Sequence, residues 1–375
     1  SKNRSIRIIS QSNEQRLKLQ AAVHAIGQSS KNVNVLHLPF CRPAPHPRSA
    51  CFSMCMNPRL STTEIDGLRD QLRESIHATP SVALPTPLAH CAAAIYAKME
   101  LWQVTGSFKA RGALANVAEI PENERDRGIT AVSAGNHAIA AAFAAQQFGM
   151  SAKVVMTASA PAYRVARCRD YGAQVVIAET VHDAFDRVQA IVAQEQRHFV
   201  HPFEGLTTAL ATAGVGREFA LDITGLDAVI VPVGGGGLAA GVSAAVKLTQ
   251  PDCRVFGVEP VGADSMSRSF AAGAPVHLDA VDTIADSLGA PMALPISFAL
   301  CKDNIDRIAT VHDDEIRAAM RTIYESLSLA VEPACAAAIA ALHGPLQDEL
   351  AGKRVGVIFC GSNIDIDLWS ALVAS

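Results

Sequence analysis

The sequence predicts an α/β protein in which mainly parallel sheets are flanked by helices. From residue 61 onward, short apolar segments alternate with longer segments of helical periodicity, which is typical of a parallel sheet covered on both faces. Several apolar segments also run directly into small-residue turns that open the next helix. The length of 375 residues, 49% of them hydrophobic, suffices for a large core and for two lobes. In such folds ligands bind at the carboxyl ends of the strands.

The individual elements follow from local patterns. Residues 94–100 alternate like a strand, and residues 110–119 have helical periodicity with few breakers. Further strands are predicted at 130–133, 153–156, 174–178, 228–232, 254–259 and 354–359. Further helices are predicted at 138–148, 184–196, 238–247 and 315–327.

Composition narrows the function classes. A formal net charge of −4 gives no reason to expect nucleic acid or an anionic membrane as a partner. No apolar run reaches the roughly 18 residues that a membrane-spanning helix needs. Nine cysteines, an odd number without paired spacing, favour a reduced and therefore cytoplasmic protein.

The first part of the chain differs from the rest. Up to residue 55 it holds eight lysines and arginines but a single acidic residue, Glu14, together with a proline-rich patch at residues 39–47. We interpret residues 1–61 as a basic N-terminal extension of unknown role, with a transit-peptide-like leader as the alternative.

The run TGSFKARG places Lys109 between a small-residue turn and a helix. Backbone on both sides would hold this lysine with its amine in a cleft, as condensation with an aldehyde requires. Taken alone the run proves little, because most lysines are solvated surface groups.

Four consecutive glycines, Gly234, Gly235, Gly236 and Gly237, separate an apolar strand from a helix that begins near Leu238. Without Cβ atoms the backbone can turn sharply and direct its N–H groups at an anion, and the helix N-terminus adds partial positive charge. The segment predicts a phosphate site of neither the P-loop nor the dinucleotide type.

The segment SAGNH, from Ser133 to His137, again lies where a strand ends and a helix opens. Its polar side chains and N-terminal amides suit a carboxylate, and Asn136 could bond a phenolic oxygen. An N-cap with a tight turn is the alternative. A fourth segment, VIFCGSN, ends a buried strand at Cys360, which by itself indicates a small core residue.

Together these motifs resemble the fold-type II pyridoxal-phosphate enzymes, specifically their serine/threonine dehydratase and serine racemase branch. The resemblance covers roughly residues 62–375 and implies a two-lobed, tryptophan synthase β-like fold. The matching motifs, in order, are SIHATP, KME, TGSFKARGA, SAGNHA, the four glycines, GVEP, TIAD, VEP and the Cys360 segment.

The resemblance implies roles for individual residues. Lys109 corresponds to the lysine that bonds covalently to the cofactor aldehyde, and Phe108 would lie against the cofactor ring. Asn136 would bond the 3′ oxygen, and Cys360 would face the pyridine nitrogen. The cofactor phosphate and the substrate carboxylate would each be held by one loop. The residues implied are Gly234, Gly235, Gly236, Gly237 and Leu238 for the phosphate, and Ser133, Gly135, Asn136 and His137 for the carboxylate.

Three positions bear on the chemistry. A thiol at Cys360 is too weak a donor to keep the ring nitrogen protonated, which favours prompt loss of a β-leaving group. Ala134 stands where racemases of the family carry a serine that serves as the second base. Glu259 and the Ala263 carbonyl are candidate ligands for a weakly bound divalent cation, but Ser265 replaces a further carboxylate ligand.

The predicted activity is that of a pyridoxal-phosphate-dependent ammonia-lyase (dehydratase) that converts a β-hydroxy amino acid such as serine or threonine to a 2-oxo acid and ammonia. The alternatives are an amino-acid racemase of the serine racemase type, a β-replacement enzyme, and a non-catalytic cofactor- or nucleotide-binding protein. The expected partner is a small amino acid, with neither nucleic acid nor membrane.

The resemblance also predicts the organisation of the molecule. A large cofactor-binding domain would comprise residues 62–125 plus 205–375, and a small mobile domain would comprise residues 126–204. The small domain would close over the substrate and exclude water. We expect a cytoplasmic homodimer.

Overall fold

The structure, a computed structural model, describes residues 58–374, so that most of the predicted N-terminal extension lies outside the described residues. The first described helix, α1 (Thr62–Leu72), begins with a capping box. The backbone N–H of Glu64 donates to Ser61 Oγ at 3.3 Å, and the Glu64 carboxylate accepts from the Ser61 N–H at 3.0 Å.

A first sheet has six strands, which are β1 (Ser81–Ala83), β2 (Ala94–Lys98), β7 (Ala228–Pro232), β8 (Arg254–Pro260), β9 (Arg307–Val311) and β10 (Arg354–Ile358). Their order in the sheet is β1-β2-β10-β7-β8-β9. The only antiparallel pair among these described strands is β1 with β2, at one edge, and the other pairs are parallel. Every residue of β7 is buried, as expected where helices cover both faces of a parallel sheet.

A second sheet has four strands, all parallel, in the order β5-β4-β3-β6. They are β3 (Ile129–Val132), β4 (Ala152–Thr157), β5 (Gln174–Ala178) and β6 (His198–Phe199). The predicted α/β class, with parallel-rich sheets flanked by helices, is confirmed. β1 and β6 were not predicted from the sequence, because they span only three and two residues and are too short to show alternation. β9 was not predicted either.

The helices that flank the sheets begin and end as follows: α2 (Thr86–Ala89), α3 (Lys109–Ala118), α4 (Asn136–Gln147), α5 (Ala162–Asp170), α6 (Val181–Glu195), α7 (Leu206–Asp222), α8 (Gly237–Thr249), α9 (Ser265–Ala272), α10 (Pro295–Asn304), α11 (Asp313–Leu327), α12 (Pro333–His343) and α13 (Ile366–Ala374).

Each sheet has its own hydrophobic core. The core of the first sheet includes the apolar residues of β7 and β10 and most of α12. The core of the second sheet is formed largely by α4 and β4, and it also takes in Leu72, Ala113, Leu114 and Val117, which precede residue 126. The division into domains at residues 125 and 205, and the mobility of the smaller one, stay predictions.

A buried ion cluster lies beside the first turn of α3. Arg111 donates to both oxygens of Glu100 at 2.8 and 2.9 Å and to both oxygens of Glu218 at 2.8 and 2.9 Å. Lys98 Nζ lies 2.8 Å from the Glu218 carboxylate. Burial alone would raise the pKa of Glu218, but Arg111 and Lys98 lower it to about 2. The cluster therefore fixes the helix that begins at Lys109.

No helix within residues 58–374 is both long and apolar enough to cross a membrane.

Candidate active site

The turn before Lys109 is held against the end of β10. Gly106 adopts a φ of +77°, a conformation that favours glycine. The Phe108 N–H donates to the Cys360 carbonyl at 3.1 Å, and Ser107 forms an isolated antiparallel bridge with Gly361. Lys109 then begins α3. Because of these contacts, Lys109 and Cys360, which are far apart in the sequence, face one cavity.

The cavity brings together most of the residues predicted for the cofactor. It is lined by Phe108, Lys109, Asn136, Phe203, Pro232, Gly234, Gly235, Gly236, Gly237, Leu238, Ser287, Leu288, Glu332, Ala334 and Cys360. Ser133, Gly135 and His137, predicted for the substrate carboxylate, are not among these lining residues. They precede or begin α4, next to Asn136.

The amine of Lys109 loses its proton more readily than an ordinary lysine amine. Its Nζ donates to the Pro202 carbonyl at 2.6 Å and lies 5.1 Å from the centre of the Phe108 ring. Burial disfavours the ammonium form and lowers the pKa of Lys109 from 10.5 to about 8, although the nearby Glu332 carboxyl opposes this shift. An amine with such a pKa can act as a nucleophile and as a base near neutral pH.

The glycine loop, defined here as residues 234–238, connects the end of β7 to α8. Gly236 has a φ of +91°, and within the described residues no side chain caps α8. A Cβ on Gly235 would lie 2.3 Å from the Phe203 ring, and one on Gly237 would lie 2.4 Å from the Phe203 carbonyl. The glycines therefore permit close packing against Phe203, while the helix N-terminus leaves N–H groups for an anion.

The Asn136 loop, defined here as residues 133–137, leads from β3 into α4. The Gly135 N–H donates to Ser133 Oγ at 3.1 Å, and no side chain of residues 58–374 caps α4. The loop can thus offer backbone N–H groups at a helix N-terminus to a carboxylate.

The side chain of His137 points away from such an anion. Its Nε2 lies 2.8 Å from the Val200 carbonyl, which requires Nε2 to carry the hydrogen. Burial, assisted by the charge of Lys109, lowers the pKa of His137 to about 3. His137 is therefore neutral, and the part of this residue available to a carboxylate is its backbone N–H.

Cys360 is buried beside a second thiol. A hydrogen bond with Cys335, together with burial, raises the pKa of Cys360 above its ordinary value. A thiol that stays protonated is a weak donor and a weak acceptor, which agrees with the neutral ring contact predicted for it.

The candidate cation site is not supported. Both oxygens of Glu259 accept backbone N–H groups at the start of α9, from Met266 at 2.9 Å and Ser267 at 2.7 Å. Burial raises the pKa of Glu259 to about 8. Both of its oxygens are thus occupied at a helix N-terminus, and Ala263 is buried in the turn before that helix. Within residues 58–374, no group of three or more His, Cys, Asp and Glu residues could hold a metal ion.

Three polar or aromatic residues of the cavity were missed as site residues. Phe203 and Ser287 lie on segments for which the sequence analysis assigned no role. Glu332 was noted only within the VEP motif, yet it is 1% exposed and accepts from Asn136 Nδ2 at 2.8 and 2.9 Å. Burial raises the pKa of Glu332 to about 7. An acidic residue directly before a proline and an alanine-rich apolar helix was the available signal.

The chain is similar to known proteins over the region that carries these motifs. Residues 72–361 match the family described as pyridoxal-phosphate dependent enzyme. The chain is 52% identical to a phenylserine dehydratase of Ralstonia pickettii over 305 residues, which cover 80% of this chain and 92% of that protein. It is 36% identical to an L-threonine ammonia-lyase of Thermotoga maritima, with 74% of this chain and 69% of that protein covered.

A solved structure supports the same relationship. The structure of maize serine racemase superimposes with a TM-score of 0.78 at 30% identity, covering 83% of this chain and 96% of that chain. The resemblance drawn from the motifs is therefore confirmed. The chain belongs to the pyridoxal-phosphate dependent enzymes of fold type II, within their serine/threonine dehydratase and serine racemase branch.

Proposed function

We propose that this protein is a pyridoxal-phosphate-dependent ammonia-lyase that converts a β-hydroxy amino acid to a 2-oxo acid and ammonia. The observation that carries the proposal is a buried lysine amine with a lowered pKa, which faces a cavity shared with a glycine loop at a helix N-terminus. The 52% identity to a phenylserine dehydratase supports the same reaction type.

The cavity fits the cofactor. The uncapped N-terminus of α8 suits a phosphate, and the amine of Lys109 suits an aldehyde. Phe108 would lie against the ring, Asn136 would donate to the 3′ oxygen, and Cys360 would face the ring nitrogen. When bound, pyridoxal phosphate withdraws electrons from the α-carbon of the attached amino acid.

The residues of the chain would then orient the substrate and move its protons. The N–H groups of the Asn136 loop bind the substrate carboxylate, and Lys109 Nζ accepts the proton from the α-carbon. The proton that Lys109 accepts offsets the one that the hydroxyl takes up as it leaves the β-carbon as water, and a second water then releases ammonia. The water lost therefore equals the water consumed, and the products are one 2-oxo acid and one ammonia.

Racemisation is the second candidate, favoured by the likeness to maize serine racemase. It needs a second acid–base group on the face of the α-carbon opposite Lys109. Ala134, the position at which the family's racemases carry a second base, has no transferable proton. This favours elimination over racemisation.

Three further properties belong to this proposal. We propose that the protein is a homodimer and that it acts in the cytoplasm. The region of the second sheet would close over the substrate. Light scattering would test the homodimer, and fractionation of cells would test the location. Hydrogen exchange with and without substrate would test the closure of the second-sheet region.

A substrate panel tests the proposed activity. The purified enzyme, loaded with pyridoxal phosphate, is incubated with 3-phenylserine, threonine, serine and 3-hydroxyaspartate, with the corresponding amino acids that lack the β-hydroxyl as controls. We expect a 2-oxo acid and ammonia in equal amounts from at least one member of the panel and from none of the controls. If neither product forms from any member, the proposal is wrong.

A further inference from the structure

A closed ring of polar contacts surrounds the Asn136 side chain. Arg164 Nε donates to the Asn363 carbonyl at 3.0 Å, and Asn363 Nδ2 donates to Asn136 Oδ1 at 2.7 Å. Asn136 Nδ2 donates to both oxygens of Glu332, and Glu332 Oε2 lies 3.9 Å from Arg164 Nη2. All four residues are at most 4% exposed. We call these four residues the polar ring.

The polar ring joins the two cores. Asn136 begins α4 and Arg164 lies on α5, and both helices contribute to the core of the second sheet. Glu332 directly precedes α12 and Asn363 follows β10, and these elements contribute to the core of the first sheet. The ring therefore closes only while these parts of the molecule stay together.

Arg164 is the one member of the ring with a permanent charge. A buried guanidinium needs opposite charge and hydrogen bonds to offset the loss of water. Besides Glu332, its Nη1 contacts Asp286, whose side chain is 51% exposed. A Cβ on Gly135 would lie 3.1 Å from Arg164 Nη1, so the glycine leaves room for the guanidinium beside the Asn136 loop.

The ring determines which way the Asn136 amide faces. With Oδ1 toward the Asn363 amide and Nδ2 toward the Glu332 carboxylate, each atom meets a partner of the opposite kind. A flipped amide would place two acceptors together at Glu332 and two donors together at Asn363. The Nδ2 group has two hydrogens, and besides Glu332 it meets only a longer contact, to Ser287 Oγ at 3.4 Å, which an oxygen in the cavity could replace.

We propose that Arg164 is a positioning residue that holds the Asn136 amide in its donating orientation while the helices of the second sheet lie against the first-sheet core. The proposal deepens the proposed function and rests on it for the contact between Asn136 and the cofactor. Arg164 acts through Asn363 and Glu332 and does not itself touch the cofactor. Separation of the two cores would break the ring and release Asn136.

The test compares Arg164→Gln and Arg164→Lys with a matched control, Arg169→Gln. Arg169 lies on the same helix but is exposed, so the control removes the same charge without touching the ring. Hydrogen exchange of the cofactor-free protein gives a readout that is independent of the reaction. We expect exchange at residues 133–140 to rise about 10-fold or more in Arg164→Gln, from the loss of charged hydrogen bonds, and to stay unchanged in the control.

The spectrum of the loaded enzyme gives a second readout. Arg164→Gln should keep its cofactor, because the glycine loop is intact, but the visible band should shift as the donor to the 3′ oxygen is lost. The kcat of Arg164→Gln should fall roughly 10–100-fold with a smaller change in KM. The kcat of Arg164→Lys should lie between those of the wild type and Arg164→Gln, because lysine keeps the charge but not the geometry of the guanidinium. Unchanged exchange and an unchanged band in Arg164→Gln would overturn the proposal.

A double variant separates positioning from mere support of the fold. If Arg164 acts through Asn136, then adding Arg164→Gln to Asn136→Ala should shift the band little further than Asn136→Ala alone. Additive shifts would contradict the proposal, even if Arg164→Gln lowers stability. If the substrate panel shows no lyase activity while exchange and spectrum respond as expected, the proposed function fails and the positioning role stands.

Discussion

The two ends of the cavity are built in different ways. At the glycine loop, a contiguous run of five residues presents backbone N–H groups at the N-terminus of α8 and packs against Phe203. At the Asn136 end, a side chain is held by Glu332 and Asn363, which lie 196 and 227 residues further along the sequence. One end is fixed by the packing of the backbone, and the other by buried polar side chains.

This difference has consequences for what each end tolerates. Gly235 and Gly237 of the glycine loop have no room for a Cβ atom, but the loop depends on no polar side-chain partner. The Asn136 end depends on each polar partner, because a buried group that loses its partner costs roughly 1–3 kcal/mol. Changes at the glycine loop should therefore affect cofactor affinity, whereas changes at the Asn136 end should affect the rate of reaction and the spectrum.

The largest expected effect comes from Lys109, which lines the same cavity as the two ends. Lys109→Ala removes the only side chain proposed both to bond the cofactor and to take the α-proton. We expect turnover to fall by at least ~1000-fold and the visible band to disappear. An assay for 2-oxo acid measures turnover, and absorbance measures the band. Mass spectrometry after borohydride reduction detects the covalent adduct between the protein and the cofactor. A retained band and a retained covalent adduct would show that another amine carries the cofactor.

The pH dependence of cofactor capture separates the lysine from the glycine loop. An amine attacks an aldehyde only when neutral, and the neutral fraction of Lys109 rises as the pH rises toward its pKa of about 8. Capture of pyridoxal phosphate by the cofactor-free protein should therefore accelerate about 10-fold per pH unit up to about pH 8 and then level off. Stopped-flow absorbance measures the rate.

Pyridoxine phosphate provides the control for this measurement. It has the phosphate but no aldehyde, so its binding depends on the glycine loop and not on the protonation of Lys109. Its affinity should not follow the same rise. A rate of capture that keeps rising well beyond pH 9 would mean that the pKa of Lys109 is not lowered.

Gly235→Ala tests the glycine loop alone. The new Cβ would lie 2.3 Å from the Phe203 ring, and overpacking of this kind costs about 1–3 kcal/mol. We expect cofactor affinity to fall roughly 5–100-fold, as measured by titration of the cofactor-free protein. Gly67→Ala is the matched control, because Gly67 lies within α1 and a Cβ there would meet nothing within 4 Å beyond the backbone of its own helix. Equal affinities in the two variants would contradict the packing argument.

Ala134→Ser has the smallest expected effect. A hydroxyl at this position, in the Asn136 loop, could deliver a proton to the face of the α-carbon opposite Lys109. We expect a weak racemase activity to appear, well below the rate of elimination, and the cofactor affinity to stay as in the wild type. Chiral chromatography of the remaining substrate measures it. If Ala134→Ser forms no opposite enantiomer, position 134 does not face the α-carbon.

The contrast between the two ends also explains what could be predicted from the sequence. The glycine loop, the turn before Lys109 and the start of α4 are contiguous, so that strand, turn and helix signals define them locally. The parallel α/β fold was predictable for the same reason, because its strands and helices alternate along the chain.

Contacts between distant segments were not predictable. Nothing in the local sequence of Arg164 shows that its guanidinium is buried against Asn363 and Glu332. The contact of Glu259 with the N-terminus of α9 depends on how α9 follows β8, which spacing alone does not determine. The core of the second sheet includes residues before 126 because α1 and α3, which precede the strands of that sheet in the chain, contribute to it.

The products formed from a single enantiomer test the central claim, elimination without racemisation, most directly. The loaded enzyme is given one enantiomer of its best substrate from the panel, and 2-oxo acid, ammonia and the opposite enantiomer are measured over the same time course. We predict that 2-oxo acid and ammonia accumulate together while little of the opposite enantiomer forms. Formation of the opposite enantiomer as fast as the 2-oxo acid would contradict this account.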